Sequence, residues 1–407
     1  MKILDFLRGN LPWLSAGMLL TFLSSFGQTF FISIFAGEIR ETFDLTHGQW
    51  GGIYTLGTAA SALIMVWAGG LTDQFRVRGL APIILALLAL SCVAMALNPV
   101  WWGLTLVIFA LRFTGQGMTS HIALVAMSRW FVATRGKALS IATLGFAIGE
   151  ALLPLIFVSL MVFIDWRLLW LVAAALALMG IPFILGLLRT ERTPQSVAES
   201  SQACGMDDRH WTRNQATRHS LFWFMIPALL GPSAFNTAFF FHQVHFAELK
   251  GIVHVQLVAM YPFYTVIGIV AMMASGWALD RFGTARLIPF MQIPMVIGFV
   301  IFAYAGSIFA LLAGLLFFAL TTGFNTTLPN AFWAEFYGTR HLGSIKAMAA
   351  AVMVFGSAIG PGLTGWGIDV GLGLESQYVL VAIYFIFSTV MMMIGIGRAK
   401  HFLPRTA

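Results

Sequence analysis

The chain has 407 residues, of which 59% are hydrophobic and only 10% are charged. Soluble domains contain about 25% charged residues, so a water-soluble protein is excluded. The formal net charge of +7 would suit a nucleic-acid-binding surface only if the charges were clustered for that purpose. Two cysteines, Cys92 and Cys204, are too few for a disulfide framework.

Twelve apolar stretches follow one another, each near the length of about 20 residues that spans a membrane as a helix. The first begins near Leu11 and is too long for the core of a signal peptide, so we expect an uncleaved span. The longest polar stretch, 189–220, separates spans six and seven. The predicted spans are 11–36, 49–70, 80–98, 100–127, 138–163, 167–188, 221–246, 255–279, 287–305, 308–333, 344–370 and 376–397.

The distribution of Lys and Arg predicts the orientation. With the N-terminus in the cytoplasm, 19 of the 23 Lys and Arg residues fall on the cytoplasmic side. Three fall outside, namely Arg40, Arg167 and Lys250, and Arg112 lies within span four. The pattern predicts a multi-pass protein of a bacterial-type inner membrane with both termini cytoplasmic. It accounts for the net charge without a nucleic-acid partner.

The two halves of the sequence are related at an offset of 207 residues. Asp73 corresponds to Asp280 and Pro154 to Pro361. Six spans per half give both repeats the same orientation, which is a transporter architecture. The sequence therefore predicts three parts. These are an N-terminal six-helix bundle over 1–188, a cytoplasmic central loop over 189–220 and a C-terminal six-helix bundle over 221–407.

Three short segments resemble motifs of the major facilitator superfamily. Residues 69–78 (GGLTDQFRVR) resemble its loop motif, although Gln74 and Arg76 replace the usual Arg and Gly. Residues 276–283 (GWALDRFG) keep the Asp-Arg-x-Gly part, and residues 112–117 (RFTGQG) match an Arg-x-x-Gly-x-Gly element. The resemblance implies an all-α integral membrane fold of twelve helices in two pseudo-symmetric bundles. It also implies a secondary transporter that works by alternating access.

Charged residues at the cytoplasmic span ends are candidates for a breakable gate. Asp73 is predicted to pair with Lys346, and Asp280 with Lys137, which respects the repeat; Arg281 belongs to the same group. The alternative is that these charges only solvate the span ends and set the topology.

Arg112 and Glu150 are predicted to lie within the membrane, in spans four and five. An arginine at mid-depth costs about 2.5–3.5 kcal/mol, so we expect it to face the interior and to pair with Glu150. Arg112 is then a candidate for binding an anionic solute, and Glu150 for carrying a coupled proton. A purely structural ion pair is the alternative. Glu150 follows Gly145 and Gly149, where drug–proton antiporters of the superfamily usually have Pro, which argues against that branch.

Further solute contacts are predicted from polar residues in spans that should line the cavity. Such residues also join helices to one another, so both interpretations stay open. His242 is a candidate solute contact or pH-sensitive outer gate, with a plain interfacial role as the alternative. His245 lies three residues further, but no third ligand is evident, so no metal site is predicted. The remaining predicted contacts are Gln28, Asn236, Tyr261 and Asn325.

The sequence contains none of the hydrolase, metalloprotease or nucleotide-binding motifs sought, so we predict neither an enzyme nor a cofactor. The predicted function is symport of a small organic anion with a proton, by a monomer in the lipid bilayer. This rests on Arg112 and a loose similarity to the monocarboxylate and oxalate–formate branch. The alternatives are a transporter or exporter of a neutral or aromatic solute, such as a vitamin or drug, and a non-transporting membrane sensor.

Overall fold

The computed structural model describes the backbone of residues 3–131, 134–190, 204–338 and 341–403. Within those ranges, the side chains of 3–5, 73, 135, 136, 280, 342–344 and 347 are not described. All assigned elements in these ranges are helical, which confirms the predicted all-α class. The principal helices are Ile3–Leu23, Thr29–Ile32, Ala36–Phe43, His47–Ala68, Val77–Leu97, Gly103–Leu111, Ser120–Trp130, Arg135–Met161, Trp166–Leu187, Ser220–Phe241, Gln243–Leu249, His254–Val258, Tyr261–Phe282, Ile293–Tyr304, Ile308–Tyr337, Leu342–Asp369 and Leu374–Ala399.

Ten helices in the described ranges are long and apolar enough to cross a membrane. An eleventh candidate is the bent pair Phe6–Gly27 and Thr29–Phe43, whose parts meet at 47° and correspond to span one. Span four runs from Gly103 to Trp130 but is divided by the π-helix Arg112–Thr119. The predicted twelve spans are thus consistent with the helices. Spans one and four contain the interruptions that bear on the candidate site, and spans seven, eight and nine are also interrupted, near His242, Ala259 and Phe290.

The chain divides into two compact units. Unit 1 comprises Met1–Ala198, Phe240–His245 and Val253–Tyr261. Unit 2 comprises Glu199–Phe239, Phe246–Ile252 and Pro262–Ala407. Two short segments of the predicted C-terminal bundle therefore group with unit 1, where they contact spans one and two.

Close helix contacts in unit 1 depend on small residues. Span one packs along span five, and a Cβ at Gly145 would overlap the backbone of Met18. The Thr21 hydroxyl donates to the carbonyl of Ala142 in the same contact. Small residues allow such backbone approach between membrane helices, so the N-terminal part of span one is held firmly on span five.

The core of unit 2 includes part of the predicted central loop. Met206 and Trp211 are buried, and the Trp211 backbone N–H donates to the Tyr337 carbonyl at 3.0 Å. A Cβ at Gly205 would lie 2.5 Å from the Gly338 nitrogen. The segment 204–220 of the predicted central loop is therefore packed structure, because its apolar side chains complete the core at the end of span ten. Residues 191–203 of that loop lie outside the described residues.

The three cations predicted on the outer side bind backbone carbonyls. Arg40 Nε donates to the Leu45 carbonyl at 3.2 Å. Arg167 Nη1 donates to the carbonyls of Ala96 and Asn98, each at 2.9 Å. Lys250 Nζ donates to the Ala303 carbonyl at 3.1 Å and pairs with Glu375 at 2.6 Å. Carbonyls at helix ends lack an intrahelical donor, and these cations supply one.

Candidate functional site

Spans one and four are both irregular where they touch. Span one changes from the 3-10 turn Ser24–Gly27 to an extended Gln28, with φ −86° and ψ 153°, before the next helix starts at Thr29. Facing it is the π-helix Arg112–Thr119. A Cβ at Gly115 would lie 2.6 Å from the Gly27 Cα, so only glycine permits this approach. Interrupted helices at membrane depth commonly form solute sites.

The break in span one leaves a backbone acceptor for Arg112. Phe31 N–H bonds to the Gln28 carbonyl instead of the Gly27 carbonyl, the acceptor that an unbroken helix would use. Arg112 Nη1 donates to the Gly27 carbonyl at 3.2 Å and to Thr29 Oγ1 at 3.3 Å. Its guanidinium also lies over the Tyr54 ring, 5.3 Å from the centroid. Span four thus provides the donor that the broken helix lacks.

Part of the guanidinium has no protein partner. Arg112 is only 2% exposed, and its Nε is buried without an acceptor. No described residue accepts a hydrogen bond from Nη2 either. Nε and Nη2 form the edge that binds a carboxylate through two parallel hydrogen bonds. The site therefore contains a buried positive charge whose bidentate edge forms no hydrogen bond with the described residues.

The predicted ion pair between Arg112 and Glu150 is wrong. Among the described side chains, the guanidinium bonds to span one and not to a carboxylate. The reason is the break at Gly27 and Gln28, which offers a nearer acceptor that the sequence pattern does not reveal.

Glu150 lies in span five as predicted, and its side chain is half-buried. No hydrogen bond or ion pair to this carboxylate is found in the part of the chain that the structure describes. Its neighbour Gly149 faces the Ser25 hydroxyl of span one, whose Oγ is buried without a partner. Glu150 therefore lies beside the same helix that Arg112 contacts, as a separate ionisable group.

Tyr261 and His242 lie around a buried glutamine. Gln243 Nε2 donates to Ser33 Oγ at 2.7 Å, and its Oε1 accepts from the Tyr261 hydroxyl at 2.5 Å. His254 Nε2 lies 3.4 Å from the same oxygen. The Tyr261 hydroxyl, predicted to contact solute, thus serves this network in the structure. Gln243 follows the interruption of span seven at His242.

His242 and His245 have a third histidine beside them. The His47 ring centroid is 4.2 Å from that of His245 and 6.0 Å from that of His242. His47 comes from the start of span two, so sequence spacing could not identify it. No group of three His, Cys, Asp or Glu residues with metal-binding geometry occurs among the described residues.

The other predicted contacts differ in location. Gln28 is at the break of span one, next to the carbonyl that Arg112 binds. Asn236 and Asn325 belong to unit 2, in spans seven and ten. Asn236 Oδ1 is buried without a partner among the described atoms, as is Thr265 Oγ1 in span eight. Unit 2 thus offers neutral polar groups where unit 1 offers charged ones.

The predicted gate is only partly visible. The side chains of Asp73 and Asp280 lie outside the described residues. Lys137 and Arg281 are exposed, and the Arg281 guanidinium lies 5.7 Å from the Trp277 ring centroid. Lys346 is half-buried. The gate pairing stays a prediction.

Tyr54 and Gln243 are the residues that the sequence analysis missed. Tyr54 stands in an apolar span, and Gln243 stands between His242 and His245, which drew attention as possible ligands. Their partners are distant in sequence, at Arg112 and at Ser33. A polar residue in a span was the one available signal.

The comparisons with known proteins agree with the fold. The family model of the Major Facilitator Superfamily matches residues 17–361. A bacterial homologue of the human lysosomal transporter Spinster, in an inward-facing and occupied conformation, aligns with a TM-score of 0.75 and 14% identity. That alignment covers 97% of this chain and 98% of the other. The nucleoside transporter NupG aligns with a TM-score of 0.69 and 15% identity, over 95% and 98%. No curated protein sequence matches significantly.

Proposed function

Because the chain belongs to the major facilitator superfamily, we propose that it is a secondary active transporter that moves a small organic anion, such as a monocarboxylate, together with a proton. Its membership of this family of transporters rests on the match over 17–361. The solute class rests on one observation: the bidentate edge of the buried Arg112 guanidinium forms no hydrogen bond with the described residues.

Charge balance supports an anionic solute. Burying a cation without a counterion costs several kcal/mol, and the contact with the Tyr54 ring offsets about 2 kcal/mol of that cost. Charges inside a membrane domain are rare and usually functional. A carboxylate at the Nε–Nη2 edge would neutralise Arg112 and satisfy its remaining donors. Since Arg112 is almost fully buried, the solute reaches this edge only after neighbouring groups move.

Glu150 is proposed as the proton carrier. An unpaired carboxylate in an apolar environment is unfavourable, and binding a proton removes the charge. Since Arg112 and Glu150 do not touch, an anion does not displace Glu150 from the guanidinium. The coupling we propose is electrostatic: a bound anion cancels the positive charge of Arg112, and without that field Glu150 binds its proton more tightly.

We also propose a transport mechanism, a location, a cytoplasmic gate and further solute contacts. The protein works by alternating access as a monomer in a bacterial-type inner membrane, with both termini cytoplasmic. Asp73 with Lys346, and Asp280 with Lys137, close the cytoplasmic side, and Arg281 adjoins that gate. Gln28 is a solute contact in unit 1, and Asn236 and Asn325 are solute contacts in unit 2.

The deciding experiment reconstitutes the purified protein in liposomes and measures exchange and pH-driven uptake of radiolabelled formate, acetate and lactate. Arg112→Gln and Arg112→Lys should each raise the half-saturating anion concentration about 10- to 100-fold, the worth of hydrogen bonds to a charged group. Arg8→Gln, at an exposed position, is the control. Wild-type uptake by Arg112→Gln would refute the anion site.

Glu150→Gln separates binding from coupling. Exchange of anion for anion needs no net proton movement and should persist, whereas accumulation driven by a pH gradient should be lost. Glu41→Gln, an exposed carboxylate, controls for the change of side chain. Accumulation by Glu150→Gln at the wild-type level would remove Glu150 from the mechanism.

A neutral solute is the second candidate. Its support is the set of buried polar groups without partners in unit 2, including Asn236 Oδ1, Thr265 Oγ1 and Thr321 Oγ1. NupG, a neighbour in fold, is a nucleoside transporter. Uptake of uridine or adenosine, insensitive to Arg112→Gln, would favour this candidate over the anion.

A further inference from the structure

The Arg112 guanidinium is held from one side by two hydroxyl-bearing residues. Thr29 Oγ1 accepts from Nη1 at 3.3 Å, and the same oxygen is 2.5 Å from the Tyr54 hydroxyl. The Tyr54 ring lies 5.3 Å from the guanidinium carbon. Tyr54 is buried, and Thr29 is half-buried. The two residues come from spans one and two, so three helices meet at this cation.

These contacts engage Nη1 and the ring-facing side of the guanidinium, and they do not involve its Nε–Nη2 edge. Both hydrogen bonds from Arg112 come from Nη1, to Gly27 and to Thr29. With Nη1 and the ring face held, rotation of the planar group is restricted, and the Nε–Nη2 edge has a fixed direction. A fixed fork loses less entropy when a carboxylate binds than a freely rotating one.

The contact between the Thr29 and Tyr54 hydroxyls also decides which hydroxyl proton can be donated to a solute. A hydroxyl has one proton and two lone pairs, and Thr29 Oγ1 already accepts from Arg112. If the Tyr54 hydroxyl donates to Thr29, both Thr29 lone pairs are used and the Thr29 proton is left for another acceptor. The carboxylate of a solute at Arg112 is such an acceptor, since Thr29 is the half-buried member of the pair.

We propose that Thr29 and Tyr54 are positioning residues for Arg112, which fix the direction of its carboxylate-binding edge through the hydroxyl pair. This inference rests on the proposed function. It adds a specificity device to it: a planar carboxylate bound through two hydrogen bonds is favoured over anions of other shape.

Unit 2 contains another hydrogen-bonded pair of a tyrosine and a threonine hydroxyl, and no arginine occupies the position that corresponds to Arg112. The Tyr264 hydroxyl donates to Thr322 Oγ1 at 3.1 Å. Position 319, which is 207 residues beyond Arg112, is Ala. Removing the Tyr264 hydroxyl is therefore a matched control for removing that of Tyr54.

The test measures the concentration dependence of lactate exchange in liposomes for Thr29→Val, Thr29→Ser, Tyr54→Phe, Tyr264→Phe and Arg112→Gln, with the melting temperature of each variant. Thr29→Val removes the hydroxyl at nearly constant volume and should raise the half-saturating concentration about tenfold, with the maximal rate little changed. Thr29→Ser should keep the half-saturating concentration within about twofold of the wild-type value, since the hydroxyl acceptor is kept. Tyr54→Phe should raise it about threefold to tenfold, and Tyr264→Phe less than twofold.

The outcomes separate the two proposals. Wild-type kinetics for Thr29→Val and Tyr54→Phe, with impaired Arg112→Gln, would overturn the positioning role alone. So would equal effects of Thr29→Val and Thr29→Ser, or of Tyr54→Phe and Tyr264→Phe. Wild-type kinetics for Arg112→Gln, or no lactate exchange by the wild-type protein, would overturn both this role and the anion site for this probe. A maximal rate and melting temperature that fall together, at unchanged half-saturation, would show a structural role and also overturn it.

Discussion

The two units carry the same repeat but differ at their membrane-buried charges. Gly149 and Gly356 correspond at the 207-residue offset, whereas Arg112 corresponds to Ala319 and Glu150 to Ser357. The backbone of span four differs from that of span ten at the same place. Span four is divided by a π-helix at Arg112, while span ten is continuous over Ile308–Tyr337.

Spans one and seven also differ in backbone regularity at corresponding positions. Span one is extended at Gln28, whereas position 235 lies inside the continuous helix Ser220–Phe241. The interruption at His242 in span seven corresponds to position 35, where span one has a 3-10 turn over Ser33–Phe35. The irregularity at positions 35 and 242 is thus common to both copies, whereas the break beside Arg112 occurs in span one. A buried arginine and a broken helix satisfy each other, since one has unused donors and the other an unused acceptor.

The largest effect should come from filling the contact between the two irregular segments. In Gly27→Ala, the new methyl group would overlap the Leu111 carbonyl and lie 2.7 Å from the Gly115 Cα. Overpacking against backbone costs about 3 kcal/mol or more, so we expect loss of folded protein in detergent by size-exclusion chromatography. Ala234→Gly, the corresponding position in unit 2, should cost about 0.5–1 kcal/mol.

Gly9→Ala serves as the neutral control, because nothing lies within 4 Å of a Cβ there. Wild-type yield and transport for Gly27→Ala would mean that spans one and four are not in backbone contact.

A smaller loss of stability should follow from replacing Arg167 in unit 1 or Lys250 in unit 2, and the two losses should differ. The carbonyls of Ala96 and Ala303 correspond at the repeat offset, yet Arg167 binds the first and Lys250 the second. Arg167→Met leaves two carbonyls without their donor and should lower stability by about 2–4 kcal/mol, from about 1–2 kcal/mol per unsatisfied group. Lys250→Met leaves one and should lower stability by about 1–2 kcal/mol. Thermal unfolding in detergent measures both.

The dependence of stability on salt concentration should also distinguish Lys250, which pairs with Glu375, from Arg167. Glu375 is 53% exposed, so Glu375→Gln should cost no more than about 1 kcal/mol, and less at high ionic strength. Equal losses for Arg167→Met and Lys250→Met would contradict the assignment of two carbonyls to one cation and one carbonyl to the other.

The smallest effect should be a pH dependence of stability that arises at His219 in unit 2. His219 Nδ1 accepts the Leu221 N–H at the start of span seven, at 3.3 Å, and its ring lies 5.0 Å from that of Trp211. Burial lowers the pKa of His219, and Arg209 lowers it further, against an opposing effect of Asp207. The neutral form is therefore favoured in the folded state. Its stabilising contribution is complete above the unfolded pKa of about 6.5 and is lost as the pH falls below it.

Melting temperatures of the wild-type protein and His219→Asn at pH 8, 6.5 and 5 test this prediction. Asparagine keeps an acceptor but does not titrate, so the decline towards pH 5 should be smaller in the variant. The corresponding position in unit 1 is Pro12, which has no titratable group. A steeper decline in His219→Asn than in the wild-type protein would reverse the assigned sign.

Composition and hydropathy alone predicted a helical membrane protein and its twelve spans, because a bilayer requires about 20 apolar residues per helix whatever the contacts between helices. The internal repeat followed from residue matches at one offset, such as Asp73 with Asp280. The Arg112–Gly117 element and the loop motifs were sufficient to indicate the superfamily, which the match over 17–361 confirms. Arg112 was also expected to be buried, because no other placement suits a charge in the middle of a span.

The tertiary structure decided the partners. Arg112 binds Gly27 and Thr29 and not Glu150, because a helix break at Gln28 exposes a carbonyl, and hydropathy does not register breaks. Tyr261 donates to Gln243, 18 residues earlier, across a turn that the sequence did not define. Segment 204–220 looked like a polar loop, yet Met206 and Trp211 complete a core. In each case packing between separate segments of the chain set the contact, and the sequence pattern alone does not specify such packing.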